Sequence, residues 1–428
     1  MPVCKKTGNI LIALLIVIAT VWNGFSANVM EQFIHMRTPV QIIGAILRWA
    51  GMTSFIILPA ALLYNDPRCK FLAKYIILPV ILLGVIFSKP YFLAHKPHIP
   101  DIISYIFWNL STLAGCIYLI FIEKNDTSTE NTTSDHPSAQ SITVLFTLLF
   151  LGVAPLNLFM QFPKLMHIDA LTFRLFGFWH IFAILLTVAA TVIIAYLLRK
   201  KSQEDRFLSM FFLSATLFFQ LSVRFSFVRL RPYQTATNIV GALPLYVCSF
   251  GIMLLPFAII SLSNFFRSVL FLINTPGAII AFVWPSTGVS PIFHYNVTCF
   301  VFTHVLLFAI TANLVLSLNV KPQLYHLKHL AYLIVLYYFV MLLLNTLAIN
   351  LDKTNYDPNF SFVSKSPLPI PLHNLLKLKI GVLHFSPLYI LVLCVIQYAL
   401  AWITFAVYKL AANRFSKKEK TTLTENID

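Results

Sequence analysis

Long apolar runs without a single charge constrain this chain more than any other feature. Residues 142–160 and 181–198 each contain no Asp, Glu, Lys or Arg. A run of about 18 such residues can cross the hydrocarbon core of a bilayer as a helix, which also satisfies its own backbone hydrogen bonds. The runs are apolar on all sides, whereas the strands of a transmembrane β-barrel alternate apolar and polar positions. We therefore predict an all-α fold, a polytopic transmembrane helical bundle.

The apolar runs predict about twelve helices, and the second of them contains Arg48. Their expected ranges are 8–27, 41–63, 75–93, 102–122, 142–160, 176–198, 207–223, 240–262, 267–283, 296–317, 328–349 and 384–408.

The longest polar stretch, residues 123–141, has the composition of a flexible linker and divides the chain. Before it we expect an N-terminal transmembrane section at 1–122. After it we expect a connecting transmembrane helix at 142–164 and a C-terminal core of seven helices at 165–412. A basic tail at 413–428 completes the predicted organisation.

The charge balance is basic, with 31 Lys and Arg against 15 Asp and Glu. Because the basic residues stand between apolar runs and not on a soluble segment, we expect no nucleic-acid partner. Lys and Arg collect in cytoplasmic loops, and here this rule favours a cell-membrane protein with both termini in the cytoplasm. Compact loops favour a bacterial cytoplasmic membrane. The six cysteines lack metal-ligand spacing, and no phosphate loop or haem motif occurs, so we expect no metal and no cofactor.

Polar side chains inside predicted membrane helices are costly and therefore candidates for function. In the predicted topology Cys248 and His304 each lie about eight residues from the outer end of a helix, at a similar depth of about 12 Å. A thiolate can attack an acyl carbonyl while an imidazole takes the proton. Alternatively, Cys248 packs as a small apolar residue and His304 bonds a neighbouring helix, and Cys299 is a rival thiol on another face of the same helix. The supporting residues expected on the same side are His180, Asn345 and Asn350.

Three arginines follow the predicted helix 207–223. Arg224, Arg229 and Arg231 would lie at the outer membrane boundary. Guanidinium groups there can bind a lipid phosphate by paired hydrogen bonds. The alternative is that they only anchor the helix end at the interface.

Five segments between residues 165 and 412 occur in a recognisable order. They are FRLFGFWH at 173–180, LPLYVCS at 243–249, the Trp-Pro pair at 284–285, FTHVLLF at 302–308 and NTLAINLDKTNY at 345–356. Together they resemble the YwaF-like family of integral membrane proteins, which includes the transmembrane protein 164 group of animals. The resemblance implies a seven-helix core. From the animal members it also implies an acyltransferase that moves a fatty acyl chain between phospholipids, with Cys248 as nucleophile and His304 as base. Tyr246 stands where the family box often has His, and the section 1–160 is additional.

Three functions stay open on these grounds. The first is a membrane-embedded acyltransferase that works through a Cys thioester and has membrane phospholipids as partners. The second is a multi-pass transporter or permease for a small solute or lipid. No inverted repeat and no Asp or Glu well inside a predicted helix supports it, although ion-coupled transport usually uses such a carboxylate. The third is a structural or assembly subunit with the N-terminal section as a docking platform.

Overall fold

A computed structural model gives the architecture of the chain. It describes residues 7–25, 38–63, 67–95, 99–125, 172–229, 245–261, 263–285, 290–292, 295–351, 361, 376, 378–380 and 383–425.

Six α-helices form the described part of the N-terminal section. They are α1 (Thr7–Phe25), α2 (Pro39–Met52), α3 (Ser54–Leu63), α4 (Pro67–Leu72), α5 (Leu78–His95) and α6 (Ile99–Asn125). A π-helical turn, Ala73–Ile77, connects α4 to α5 and lies just before Pro79. Because Pro79 has no backbone N–H, the regular hydrogen-bond ladder is already interrupted at this point.

Seven α-helices form the described part of the C-terminal section. They are α7 (Phe178–Leu198), α8 (Gln203–Arg229), α9 (Val247–Ile260), α10 (Asn264–Val283), α11 (Tyr295–Leu316), α12 (Leu324–Leu351) and α13 (Pro387–Glu425). Two short antiparallel strand pairs accompany them. In one, β1 (Thr172–Phe173) pairs with β2 (Ser290–Pro291), and in the other β3 (Leu378–Ile380) pairs with β4 (Leu383–Phe385).

Exposed apolar surface is evident on α7, which exposes large aliphatic side chains such as Leu185, Val188 and Val192. Within the described residues, seven helices are long and apolar enough to cross a membrane. The chain is therefore a multi-pass membrane protein, and the predicted polytopic helical bundle is confirmed.

The helix α8 lies at the centre of the bundle. Its residues 207–218 are all buried, and α8 packs against α1 and α3 on one side and against α9 and α11 on the other. The rings of Phe55 on α3 and Phe218 on α8 stack with centroids 5.5 Å apart. Both sections of the chain therefore share one hydrophobic core.

The predicted helix 41–63 is broken at Thr53. The Thr53 hydroxyl donates to the carbonyl of Ala50 at 2.6 Å. A side chain that bonds the nearby backbone in this way competes with the helical ladder. The break separates α2 from α3, so Arg48 belongs to the shorter helix α2.

Several other predicted helix ends differ from the structure. The predicted start at 240 is wrong, because Leu245 and Tyr246 precede α9 and are not helical. A residue before a proline avoids the helical region, so the Leu243-Pro244 pair in the sequence favours a helix that starts after Leu243. The helix α8 continues to Arg229, since residues 224–229 include no Gly or Pro. The last helix begins at Pro387 and not at 384, because Leu383–Phe385 form β4. The predicted helix 142–160 lies outside the described residues.

Candidate functional site

Cys248 lies in the first turn of α9 and is half-buried. Tyr246 caps this helix in an extended conformation, with φ −74° and ψ 147°. The first helical hydrogen bond runs from the N–H of Phe250 to the carbonyl of Tyr246 at 2.8 Å. Cys248 is thus the second residue of its helix and not eight residues inside it. The N–H groups of this first turn have no acceptor within the helix and form the positive end of its dipole.

The backbone just before this turn is fixed by two hydroxyl groups. The carbonyl of Leu245 accepts hydrogen bonds from Tyr337 Oη at 2.7 Å and from Ser361 Oγ at 2.8 Å. The two hydroxyls also contact each other. Only two protons are available for these three contacts, so two hydrogen bonds form at a time. These hydrogen bonds attach the start of α9 to α12 and to the segment that follows α12.

Four residues of the interface between α9 and α10 define what we call the α9–α10 seam: Cys248, Gly251, Asn274 and Gly277. A Cβ added to Gly277 would lie 3.5 Å from Sγ of Cys248. A Cβ added to Gly251 would lie 2.0 Å from Oδ1 and 2.5 Å from Nδ2 of Asn274. The two glycines therefore allow the two helices to approach closely, with the thiol and the amide in successive layers of the seam.

Asn274 is a polar residue of the seam whose amide group lacks hydrogen-bond partners in the part of the chain that the structure describes. Its side chain is completely buried, and neither Oδ1 nor Nδ2 has a hydrogen-bond partner among the described residues. By contrast, the hydroxyl of the next residue, Thr275, donates a hydrogen bond to Oγ1 of Thr311 on α11 at 3.2 Å.

His304 is half-buried on α11. Its Nδ1 lies 2.8 Å from the carbonyl of Phe300. Because a carbonyl can only accept, Nδ1 carries the proton in the neutral ring and Nε2 is the basic nitrogen. The ring lies 6.2 Å from the ring of Phe282 near the end of α10.

The thiol of Cys248 and the imidazole of His304 approach α10 at different heights. The helices α9 and α11 both pack against α10. Gly277, next to the thiol, and Phe282, next to the imidazole, are separated by about 7.5 Å along α10. Among the described residues, no hydrogen bond joins Sγ of Cys248 to His304.

The rival thiol Cys299 has a different environment from Cys248. It is buried and accepts a hydrogen bond from Nε2 of Gln220 on α8 at 3.2 Å. His304, on the same helix, contacts α10 instead. Cys299 and His304 thus contact different neighbouring helices, as their spacing predicts.

His180 is buried at the start of α7 and holds backbone groups with both ring nitrogens. Its Nε2 donates to the carbonyl of Phe282 at 2.6 Å, and its Nδ1 accepts from the N–H of Phe176 at 3.2 Å. Phe176 has a positive φ of 58°, in the left-handed region. His180 therefore closes the last turn of α10, and Phe282 lies between it and His304.

The remaining predicted residues are distributed over two helices. Asn345 is buried on α12 and donates from Nδ2 to the carbonyl of Met341 at 2.8 Å, within its own helix. Asn350 belongs to the final turn of α12, and Arg224 and Arg229 belong to the final turns of α8. Arg231 lies outside the described residues. Within the described residues no group of three His, Cys, Asp or Glu side chains is placed to bind a metal ion.

Sequence reasoning missed Asn274, Gly251, Tyr337 and Ser361. The sequence Asn274-Thr-Pro-Gly inside an apolar run was a usable signal, because an amide in a membrane helix needs a partner or a function. The contacts of the other three residues depend on which helices are neighbours, and the sequence alone does not reveal this.

The comparisons with known proteins identify one family. The model of the TMEM164 family matches residues 175–406, which is more than half of the chain and includes α7 to α12 and the first half of α13. No curated protein and no solved structure matches the chain. The predicted relation to the transmembrane protein 164 group is confirmed, and the YwaF-like assignment stays a prediction.

Proposed function

Because the chain belongs to the TMEM164 family, we propose that its seven-helix section is an acyltransferase that moves a fatty acyl chain between phospholipids through a thioester on Cys248. The observation that carries this proposal is the position of Cys248 in the first turn of α9. Backbone N–H groups and the helix dipole at a helix N-terminus favour negative charge, which offsets part of the free energy that burial costs a thiolate.

The reaction would have two half-reactions. In the first, Sγ of Cys248 attacks the carbonyl carbon of a phospholipid ester while Nε2 of His304 takes the thiol proton. The ester C–O bond breaks, the proton passes to the leaving oxygen, and a lysophospholipid departs from the thioester. In the second, the hydroxyl of another lysophospholipid loses its proton to Nε2 and attacks the thioester carbonyl, which restores the thiol. This scheme requires the imidazole to reach the thiol directly or through one water molecule.

The backbone of α9 offers donors for the oxyanion of each tetrahedral intermediate. The N–H groups of Val247, Cys248 and Ser249 precede the first helical hydrogen bond. Donors that are already oriented stabilise developing charge because they need not reorganise during the reaction. The bonds of Tyr337 and Ser361 to the carbonyl of Leu245 hold this turn in place.

The head group of the lipid would be bound at the end of α8. Gln220, one turn before Arg224, bonds Cys299 near the start of α11. The final turns of α8 therefore lie beside the start of α11. The starts of α11 and α9 both lie against the last two turns of α10, where Phe282 contacts Phe300 and Gly277 lies next to Cys248. We propose Arg224, Arg229 and Arg231 as phosphate-binding residues, since guanidinium pairs well with phosphate. The cytoplasmic position of both termini belongs to the same proposal.

The decisive experiment compares purified wild-type protein with Cys248→Ala in detergent. Each is incubated with a labelled phospholipid and an unlabelled lysophospholipid, and mass spectrometry measures the lipids and the acylated cysteine. We expect wild-type protein to transfer the acyl chain and to carry a hydroxylamine-sensitive acyl group on Cys248. The variant should lose both and keep its elution profile and unfolding temperature.

The matched control is Cys394→Ala, which removes another half-buried thiol, on α13. It should transfer acyl chains at the wild-type rate. Transfer by Cys248→Ala would refute the thioester mechanism. No transfer by folded wild-type protein, together with solute or lipid flux in proteoliposomes, would establish the transporter alternative.

A further inference from the structure

The buried amide of Asn274 is unusual within α10. It is completely buried, and neither of its polar atoms has a partner among the described residues. An amide removed from water without a hydrogen bond costs free energy, and lipid offers it no substitute. Such a residue is explained most directly by a ligand that supplies the missing partner.

The geometry of the α9–α10 seam places this amide beside the thiol. Gly251 follows Cys248 by three residues on α9, and Gly277 follows Asn274 by three residues on α10. Residues three apart share one helix face. The Cys248–Gly277 contact and the Gly251–Asn274 contact are therefore successive layers of an antiparallel pair. Successive layers are separated by about 4.5 Å along the helices.

This separation matches the size of an acyl group. An acyl group on Sγ of Cys248 that extends toward Asn274 would place its carbonyl oxygen in the interval between the two layers. A primary amide presents two N–H donors, and a carbonyl oxygen presents two lone pairs. An acyl group on Cys248 would thus supply the acceptor that Nδ2 lacks.

We propose that Asn274 binds the carbonyl oxygen of the acyl chain carried by Cys248, with Nδ2 as the donor. This inference rests on the proposed thioester function and assigns Asn274 to the acyl site. The bond forms only when the acyl group is present. It strengthens during transfer because negative charge develops on the carbonyl oxygen that accepts it. The close approach permitted by Gly251 keeps the amide in place before the substrate arrives.

The test uses Asn274→Leu, which keeps a similar side-chain volume and removes the polar atoms. Removal of one such donor is expected to slow acyl transfer by about 100-fold. The unfolding temperature should stay equal to the wild-type value or rise, because the substitution removes a buried amide that has no hydrogen-bond partner among the described residues. A residue with a purely structural role would instead lower the unfolding temperature and leave the rate unchanged.

A spectroscopic measurement makes the test independent of phospholipid turnover. A p-nitrophenyl fatty ester labelled with carbon-13 at the carbonyl acylates Cys248 and releases p-nitrophenol. Infrared difference spectra then report the thioester carbonyl stretch, which a hydrogen bond lowers. We expect a shift to higher frequency in Asn274→Leu. The same shift should occur in Gly251→Ala, whose added Cβ would lie 2.0 Å from Oδ1 and displace the amide.

The matched control is Thr275→Val, which removes the neighbouring hydroxyl and its bond to Thr311. It should lower the unfolding temperature while the rate and the carbonyl stretch stay at their wild-type values. If Asn274→Leu keeps the wild-type rate and stretch while wild-type protein transfers acyl chains, the inference is wrong and the proposed function stands. If Cys248 accepts no acyl group from the ester, both are wrong.

Discussion

The two hydroxyls on the carbonyl of Leu245 permit a sharp test of how the start of α9 is held. Tyr337→Phe or Ser361→Ala removes one donor, and the remaining hydroxyl still bonds the carbonyl. The loss of one hydrogen bond between membrane helices costs about 0.6 kcal/mol on average. The double variant leaves the carbonyl without either donor, which costs about 2 kcal/mol, the middle of the range for an unsatisfied buried group.

These energies predict how often the first turn of α9 opens and exposes Cys248. At 1.4 kcal/mol for each factor of ten, a single variant should raise the maleimide labelling rate of Cys248 roughly threefold, and the double variant roughly 30-fold. Mass spectrometry of the peptide that contains Cys248 measures the rate without other substitutions. Cys394 in the same samples serves as the internal control, and its rate should not change.

The expected non-additivity is the critical result. Because the two hydroxyls share one acceptor, the double variant should exceed the product of the two single effects. A double variant that labels no faster than that product would refute the shared-carbonyl reasoning.

Two further predictions concern the turn that precedes α7. Phe176→Gly should stabilise the protein by about 1 kcal/mol, because glycine adopts the positive φ without strain and Phe176 is 73% exposed; a lower unfolding temperature in the same detergent would contradict this. His180→Phe should destabilise the protein by about 1–3 kcal/mol, because it leaves the carbonyl of Phe282 and the N–H of Phe176 without their partner. Chemical unfolding should show that loss, and an unchanged midpoint would contradict it.

The helical bundle was predictable because the lipid environment permits few structures. A charge-free run such as 181–198 has to be a helix if it spans a membrane, and α7 covers all of it. Helix ends were less predictable where a local backbone interaction decides them. The break at Thr53 depends on a hydroxyl bond to Ala50, and the end of α8 depends on residues that continue a helix as readily as they end one.

The candidate site was only partly predictable for a related reason. Cys248 and His304 were selectable as a thiol and an imidazole inside apolar runs. Their relative position depends on how α9 and α11 pack against α10, which hydropathy does not encode. Asn274 was overlooked although two other amides, Asn345 and Asn350, were selected, because the sequence does not reveal which buried amide lacks a hydrogen-bond partner in the folded bundle.

The burial of α8 on all sides has a consequence for biosynthesis. The surface that α1 and α3 provide for α8 belongs to the part of the chain that is synthesised first. When α8 leaves the ribosome, a protein surface for its Phe and Ser side chains is already available in the membrane. A chain reduced to the matched region 175–406 would have to cover that side of α8 with lipid or with another subunit. The N-terminal helices thus offer α8 a protein contact before the rest of the C-terminal section has been synthesised.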